Sequence, residues 1–222
     1  ADQVLEFEAD HVVIATGSQW CDSGVGRANH AVIPRSGDAA ILTVDAVAAG
    51  AAITGPVVVF DDDHYYMGGV IAEMLCAQGH DVTLVTPAAD VSHWTHNTLE
   101  QGRIQKRLIE IGVTIVPLHN VTRIAKDQVE LACVYTDRTH QIACGTLIPV
   151  TMRQAVDGLY HATAAVLDSQ DSGPSLQRIG DCFGPGTIAA AVYSGHRYAR
   201  ELGEPQSDAA PFRRELPLLA HA

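Results

Sequence analysis

Apolar and polar positions follow different rhythms in different parts of the chain, and the clearest rhythm lies in its middle. Val57-Val58-Val59-Phe60 is an unbroken apolar run and reads as a strand. The spacing after it predicts a helix over 67–78, with Val70, Ile71, Met74 and Leu75 on one face and Gly79 closing it. His80-Asp81-Val82-Thr83-Leu84-Val85 is the next strand. A second helix is expected over 99–111, stopped by Gly112, before a third strand, Val113-Thr114-Ile115-Val116-Pro117. Strand, helix and strand within about 30 residues predict a parallel, right-handed β-α-β crossover. From 120 to 145 the rhythm changes to short strands at 121–124, 128–135 and 141–144, an antiparallel meander. Leu147-Ile148-Pro149-Val150 returns as a strand, and 155–167 reads as a modest helix.

The flanks are less regular. A short strand is expected over 4–8, then a turn at Ala9-Asp10 and a buried strand that ends in Ala15-Thr16-Gly17. Residues 21–40 are rich in Gly, Asn, Pro, Ser and Asp and read as an irregular connection. A short helix is expected over 45–52, with Thr43 as its cap. Near the other end, a short strand finishes at Gly180-Asp181, a Gly/Pro turn follows, and a helix runs over 189–202. The order is half a domain, a whole β-α-β unit, and a return to the first half, which predicts an α/β fold with one domain inserted into another. The expected boundaries are 1–45, an inserted 46–148, a returning 149–205 and a tail, 206–222.

Composition narrows the function classes. A formal net charge of −12 disfavours a nucleic-acid partner, which needs clustered Lys and Arg to neutralise phosphate. No apolar run approaches the ~18 residues of a membrane span, and no basic-then-apolar leader opens the chain. The five cysteines lie at scattered spacings without a Cys-x-x-Cys pair, which fits reduced cytoplasmic thiols better than a disulfide, zinc or iron–sulfur framework. The abrupt start at Ala1, close to a strand, reads as a fragment of something longer.

Two corners carry the candidate chemistry. Gly180-Asp181 offers a carboxylate to a ribose or ribityl hydroxyl, and the helix start at Thr187-Ile188 offers free N–H groups to an anion or a flavin carbonyl. Ala15-Thr16-Gly17 is a small-residue turn where backbone can approach a flat ligand closely. Either corner alone is equally a plain turn after a strand. As a pair, both following strands, they are expected to edge one ligand crevice.

The β-α-β unit lacks the Gly-x-Gly-x-x-Gly turn of a dinucleotide site. Gly68 takes the last glycine position, but Asp63 and Tyr65 stand where the first two belong. Bulky side chains there block the pyrophosphate, and Asp61, Asp62 and Asp63 repel it. Two like charges about 4 Å apart cost about 4 kcal/mol at an effective dielectric near 20. Thr86-Pro87 also replaces the acid that would hold an NAD ribose. The run Asp61-Asp62-Asp63-His64 is expected to be an exposed acidic loop rather than a Mg²⁺ or Ca²⁺ site. His93 and His96 are compatible with zinc if helical, but no third ligand is evident, so a surface or interface segment is expected. Cys182, lacking a partner cysteine, reads as a small packed residue, and the candidate metal ligands number none.

In combination, Ala15-Thr16-Gly17-Ser18-Gln19-Trp20, Asp63-His64-Tyr65-Tyr66-Met67, Gly79 to Val85, Ile179-Gly180-Asp181 and Gly195 to Glu201 resemble one family. The resemblance is to the C-terminal third of the trimethylamine dehydrogenase and 2,4-dienoyl-CoA reductase (NADH:flavin oxidoreductase) family. It implies a parallel-sheet, Rossmann-like domain of the glutathione-reductase type inserted into part of a second, FAD-type domain. It also implies FAD or ADP in this region, with FMN and a 4Fe-4S cluster in an N-terminal barrel that the chain lacks. Ala15, Thr16, Gly17 and Ser18 would line the nucleotide crevice. Asp181 would bond a ribose or ribityl hydroxyl, while Gly180, Thr187 and Ile188 would approach by backbone. The degraded second glycine fingerprint, and Val150-Thr151-Met152 in place of a second Ala-Thr-Gly, resemble the amine dehydrogenase branch more than the NADPH-using reductases.

The expected function is therefore part of an amine or N-methyl amino-acid dehydrogenase, with no catalytic residue of its own and inactive when isolated. Expected partners are its own barrel, an electron-transferring flavoprotein and further copies of the full enzyme. The alternatives are a module of an NAD(P)H-dependent enoate-type reductase, or a docking domain with a vestigial nucleotide site.

Overall fold

The run Val57-Val58-Val59-Phe60 is apolar at every position because the strand it forms is covered on both faces. The computed structural model describes residues 1–136, 138–169 and 172–203. In chain order these form α1 (Asp2–Leu5), β1 (His11–Ile14), β2 (Ser18–Trp20), α2 (Val44–Ala48), β3 (Val57–Asp61), α3 (Tyr66–Ala77) and β4 (Val82–Val85). A 3₁₀ helix (His93–Thr98) leads into α4 (Gln101–Glu110), then β5 (Thr114–Val116), β6 (His119–Ala125), β7 (Gln128–Cys133), β8 (Thr139–Ala143) and β9 (Thr146–Val150). The last elements are β10 (Arg153–Ala155), α5 (Gly158–Leu167), β11 (Ser175–Arg178), a 3₁₀ turn (Gly180–Cys182) and α6 (Ile188–Glu201). They divide into two compact units. Unit 1 is Ala1–Gly17 with the described part of Ala155–Ala222, and unit 2 is Ser18–Gln154.

Unit 2 is built on a parallel sheet of order β5-β4-β3-β9, the 3-2-1-4 arrangement of half a doubly wound fold. Successive side chains of a strand point to opposite faces, and here both faces are dry. Val57 and Val59 join Val82, Leu84, Ile148 and Val150 against Ile71 and Leu75 of α3 and Leu108 of α4. Val58 and Phe60 join Val85 and Leu147 against Val121, Ile124, Val129 and Leu131 of the antiparallel meander β6-β7-β8. The meander is therefore the second cover of the sheet as well as the connection from β5 to β9. Thr43 caps α2, its side chain accepting from the Ala46 amide at 3.1 Å. Gly79 and Gly112 follow α3 and α4 with φ of 89° and 92°, the left-handed stop that glycine takes without strain.

Unit 1 has a smaller core. β1 and β11 pair in parallel, and Val12, Ile14 and Cys182 are buried together, with Val4, Leu159, Tyr160 and Leu176 packed on them. Cys182 is thus a packed residue.

Four local expectations change, the first being the helix expected over 45–52, which ends at Ala48. The strand expected over 4–8 is replaced by one helical turn, α1, in which the Val4 and Leu5 amides bond the Ala1 carbonyl. Among the described residues β1 pairs only with β11, so this segment finds no ladder and satisfies its backbone locally. The helix expected over 99–111 starts at Gln101, because Leu99 sits in the left-handed region at φ 61° and separates it from the 3₁₀ helix. The helix expected over 155–167 starts at Gly158, with Ala155 in β10 and Asp157 as the residue that precedes its first turn. The tail expected at 206–222 lies outside the described residues. Among them, no helix is long and apolar enough to cross a membrane.

Phe60 has no exposed surface, so Phe60→Ala is expected to lower the unfolding free energy by about 3–5 kcal/mol in urea titrations. Leu99→Ala, at a side chain 90% exposed, should stay within about 0.5 kcal/mol.

Candidate functional site

Parallel pairing brings the two sequence-predicted corners of unit 1 side by side. Ile14 lies opposite Arg178 at the last paired position, and the Ile179 amide bonds the Ile14 carbonyl at 3.0 Å. Ala15-Thr16-Gly17 and Gly180-Asp181 therefore leave the sheet at the same edge. Thr16 donates to the Val156 carbonyl and reaches Cys182 Sγ at 3.3 Å, which pins the first corner. Gly17 has φ 81°, and a Cβ there would meet nothing within 4 Å. The second corner is held from within. Gly180, at φ 60°, donates its amide to Ser194 Oγ at 3.0 Å, and the Gly186 amide donates to Asp181 Oδ1 at 3.1 Å.

Thr187 caps α6, its hydroxyl accepting from Ala190 N at 3.4 Å, and Ile188 opens the helix almost fully exposed. Arg178, just before this corner, bonds Asp157 and stacks over Tyr160 and Phe183. Small residues, a carboxylate and the N-terminus of a fourteen-residue helix so share one edge. Such an edge can accept hydrogen bonds from hydroxyl groups and face an anion. Ser18, also expected in the crevice, opens β2 in unit 2, with its hydroxyl 3.4 Å from Arg153 Nη1.

The acidic turn of unit 2 is not the exposed loop its sequence suggests. Asp61 and Asp62 have no exposed surface, and His64 is buried beside them at φ 63°. Asp62 lies in a nest of backbone amides: Ala28 N donates to its two oxygens at 3.1 and 2.9 Å, and Asn29 N at 3.2 Å. His64 Nε2 completes the set at 3.0 Å from Asp62 Oδ1. Gly26 makes the approach possible, since a Cβ there would lie 2.3 Å from Asp62 Oδ2. The irregular connection around 24–29 thus supplies the donors, and the sequence carries no local mark of that pairing.

Asp61 points the other way, under the first turn of α3. Its Oδ1 accepts from the His64 amide at 2.9 Å, and a Cβ on Gly68 would fall 2.5 Å from its Cγ. Gly68 is required by this carboxyl, which occupies the helix start where a dinucleotide fold places pyrophosphate. Burial pushes the Asp61 carboxyl up to about 7, against the smaller opposing effects of the His64 amide and imidazole. Burial also raises Asp63, opposed by the nearby Arg27 and Arg153 guanidiniums. Arg27 bonds the Asp63 carbonyl through Nε at 3.1 Å and stacks over Trp94.

One group escaped the sequence reading. Asp90 lies against both His93 and His96 and supplies the third metal-type donor that the sequence left unseen.

Asp61 is harder to ionise in the folded chain than in the unfolded one. Its contribution therefore falls as pH rises from about 4 through about 7, because above the unfolded value only the native state retains the proton. Asp61→Asn should raise the urea midpoint at pH 8 and leave it nearly unchanged at pH 4, in parallel titrations of both proteins.

Residues 42–154 match the family described as the OYE-like second alpha/beta domain. The chain is 31% identical to the dimethylamine dehydrogenase of Hyphomicrobium sp. (strain x) over 97% of its length, covering 32% of that protein. Histamine dehydrogenase from Rhizobium sp. 4-9 is 44% identical with a TM-score of 0.91, over 98% of this chain and 33% of that one. A 6-hydroxypseudooxynicotine amine oxidase from Pseudomonas geniculata N1 is 38% identical with a TM-score of 0.86, over 91% of this chain and 30% of its own. The chain spans about a third of the length of these relatives.

Proposed function

The chain belongs to the family of the OYE-like second alpha/beta domain, and from that premise we propose that it is the nucleotide-binding region of an amine-oxidising flavin/iron–sulfur dehydrogenase. In this reading unit 1 is part of an FAD-type domain that holds ADP or FAD, and unit 2 is a former NAD(P)H domain inserted into it. FMN, the 4Fe-4S cluster and the amine site belong to the part of the protein that the chain does not span. Electrons leave to a separate acceptor such as an electron-transferring flavoprotein, and the isolated chain turns over nothing.

The observation that carries the reading is the buried Asp61–Asp62 pair. An enzyme of this family that used NADPH would need an open, anion-accepting turn before α3. Here the chain's own carboxylates take the helix start and the amide nest. The similarity to two amine dehydrogenases and an amine oxidase over nearly the whole chain supports the same branch.

The geometry of the unit 1 edge supports the nucleotide reading. Gly17 and Gly184 both border open space, and Asp181 stands beside the start of α6. Ala15, Thr16 and Gly17 would lie along the ligand, Asp181 would take a ribose or ribityl hydroxyl, and Gly180, Thr187 and Ile188 would present backbone. ADP held there would be redox-silent, whereas FAD would supply a second flavin.

Full-length protein should show no calorimetric binding of NADH or NADPH at micromolar concentrations, and anaerobic amine, but not NADPH, should bleach its flavin. Micromolar NADPH binding with bleaching would instead assign an enoate-type reductase. Asp181→Ala should weaken ADP or FAD retention at least about tenfold, which corresponds to about 1.4 kcal/mol. Unchanged retention would leave the corner as a plain turn in a docking domain.

A further inference from the structure

Between β4 and α4 three side chains converge that the nucleotide reading does not use. His93 and His96 occupy the first turn of the 3₁₀ helix, where residues three apart eclipse one another, and their ring centroids lie 5.2 Å apart. Asp90, in the preceding loop, reaches both: Oδ1 lies 2.6 Å from His93 Nδ1, and Oδ2 lies 2.7 Å from His96 Nε2. One donor atom from each residue falls within a cluster no wider than 4.8 Å. The imidazoles are about half exposed, at 51% and 54% of their side-chain surface, and the carboxylate is 24% exposed.

The backbone that presents these groups is fixed from below. Ser92 and Leu99, at φ 53° and 61°, bracket the 3₁₀ helix. Trp94 N donates to the His64 carbonyl at 2.9 Å, and the buried Thr95 hydroxyl donates to the Ser92 carbonyl at 2.7 Å. Gln101 Nε2 bonds the Val91 carbonyl at 3.1 Å, while Val91 N bonds Gln105 Oε1 at 3.3 Å. Three donors about 2.0–2.2 Å from a common centre fit within the 4.8 Å span over which these atoms already lie.

We propose that Asp90, His93 and His96 form a binding site for a zinc-type divalent cation, with water in the fourth position. Two imidazoles and one carboxylate are donors that suit Zn²⁺, Co²⁺, Ni²⁺ or Cu²⁺, whereas Mg²⁺ and Ca²⁺ favour all-oxygen sites. Binding requires His93 Nδ1 and His96 Nε2 to be the unprotonated nitrogens. Each neutral ring then carries its proton on the other nitrogen, and the protons these atoms can share with Asp90 give way to the metal. The open fourth position and the exposed rings let the ion exchange with solvent, and its bonds would tie the loop after β4 to the start of the 3₁₀ helix.

The test titrates Zn²⁺ into the 222-residue chain against a chromophoric chelator, with Co²⁺ as a spectroscopic substitute. One ion per chain is expected, with visible Co²⁺ d–d absorption and no thiolate charge-transfer band, which separates the site from the five cysteines. His93→Gln and His96→Gln should each weaken binding by about 10–100-fold, the double variant should abolish it, and His30→Gln should leave it unchanged. Because both rings are half exposed, the variants should match the parent in circular dichroism and in melting without metal. Zn²⁺ should then raise the melting temperature of the parent and of His30→Gln, and leave that of the double variant unchanged. No stoichiometric binding by the parent, equal binding by the double variant, or a thiolate band would each overturn the proposal.

Discussion

A carboxylate that has lost its water must find donors or a proton, and unit 2 is arranged around two that have done so. Asp62 takes the donors, from the amides of residues 28 and 29 and from His64. Asp61, with one oxygen on the His64 amide and Oδ2 without a partner among the described residues, is shifted toward the protonated form. Several otherwise odd features follow from this pair. Gly26 and Gly68 leave the carboxyls room, and His64 accepts a left-handed backbone to turn its amide inward. The His64 carbonyl in turn holds Trp94 and hence the 3₁₀ helix.

The same pair fills the turn before α3 with the chain's own groups. A helix start and a ring of amides attract an anion whatever its origin. Here Asp62 of the chain itself takes the amide nest and the Asp61 carboxyl the helix start, with no binding entropy to offset. The sheet beneath needs no such compensation, because helices cover one face and the meander covers the other. The packing of this sheet is thus independent of the groups that fill the turn before α3.

Much of the fold was legible because its signals are local. An all-apolar four-residue run marks a strand buried on both faces, Gly79 and Gly112 mark helix ends, and Thr43 marks a helix start. The pairing of Ala15-Thr16-Gly17 with Gly180-Asp181 was legible as a repeated strand-end pattern, and the register of β1 on β11 places the two turns together. The degraded fingerprint at Asp63, Tyr65 and Gly68 was also visible, as a turn unsuited to phosphate. It did not disclose what fills that turn.

The sequence by itself determined where the strands and helices of the central unit fall to within a few residues, that its sheet is parallel, and that the turn before α3 is hostile to pyrophosphate. These follow from side-chain period, glycine placement and charge, all properties of a few neighbouring residues. Only the tertiary structure decided that Asp61 and Asp62 turn inward, because the amide donors of Asp62 lie more than thirty positions upstream in a loop without a recognisable pattern. It also decided that Asp90 meets His93 and His96, since a left-handed Ser92 and a 3₁₀ turn aim the three at one point. Burial of a charge depends on which distant backbone amides arrive beside it, and no local run of residues records that.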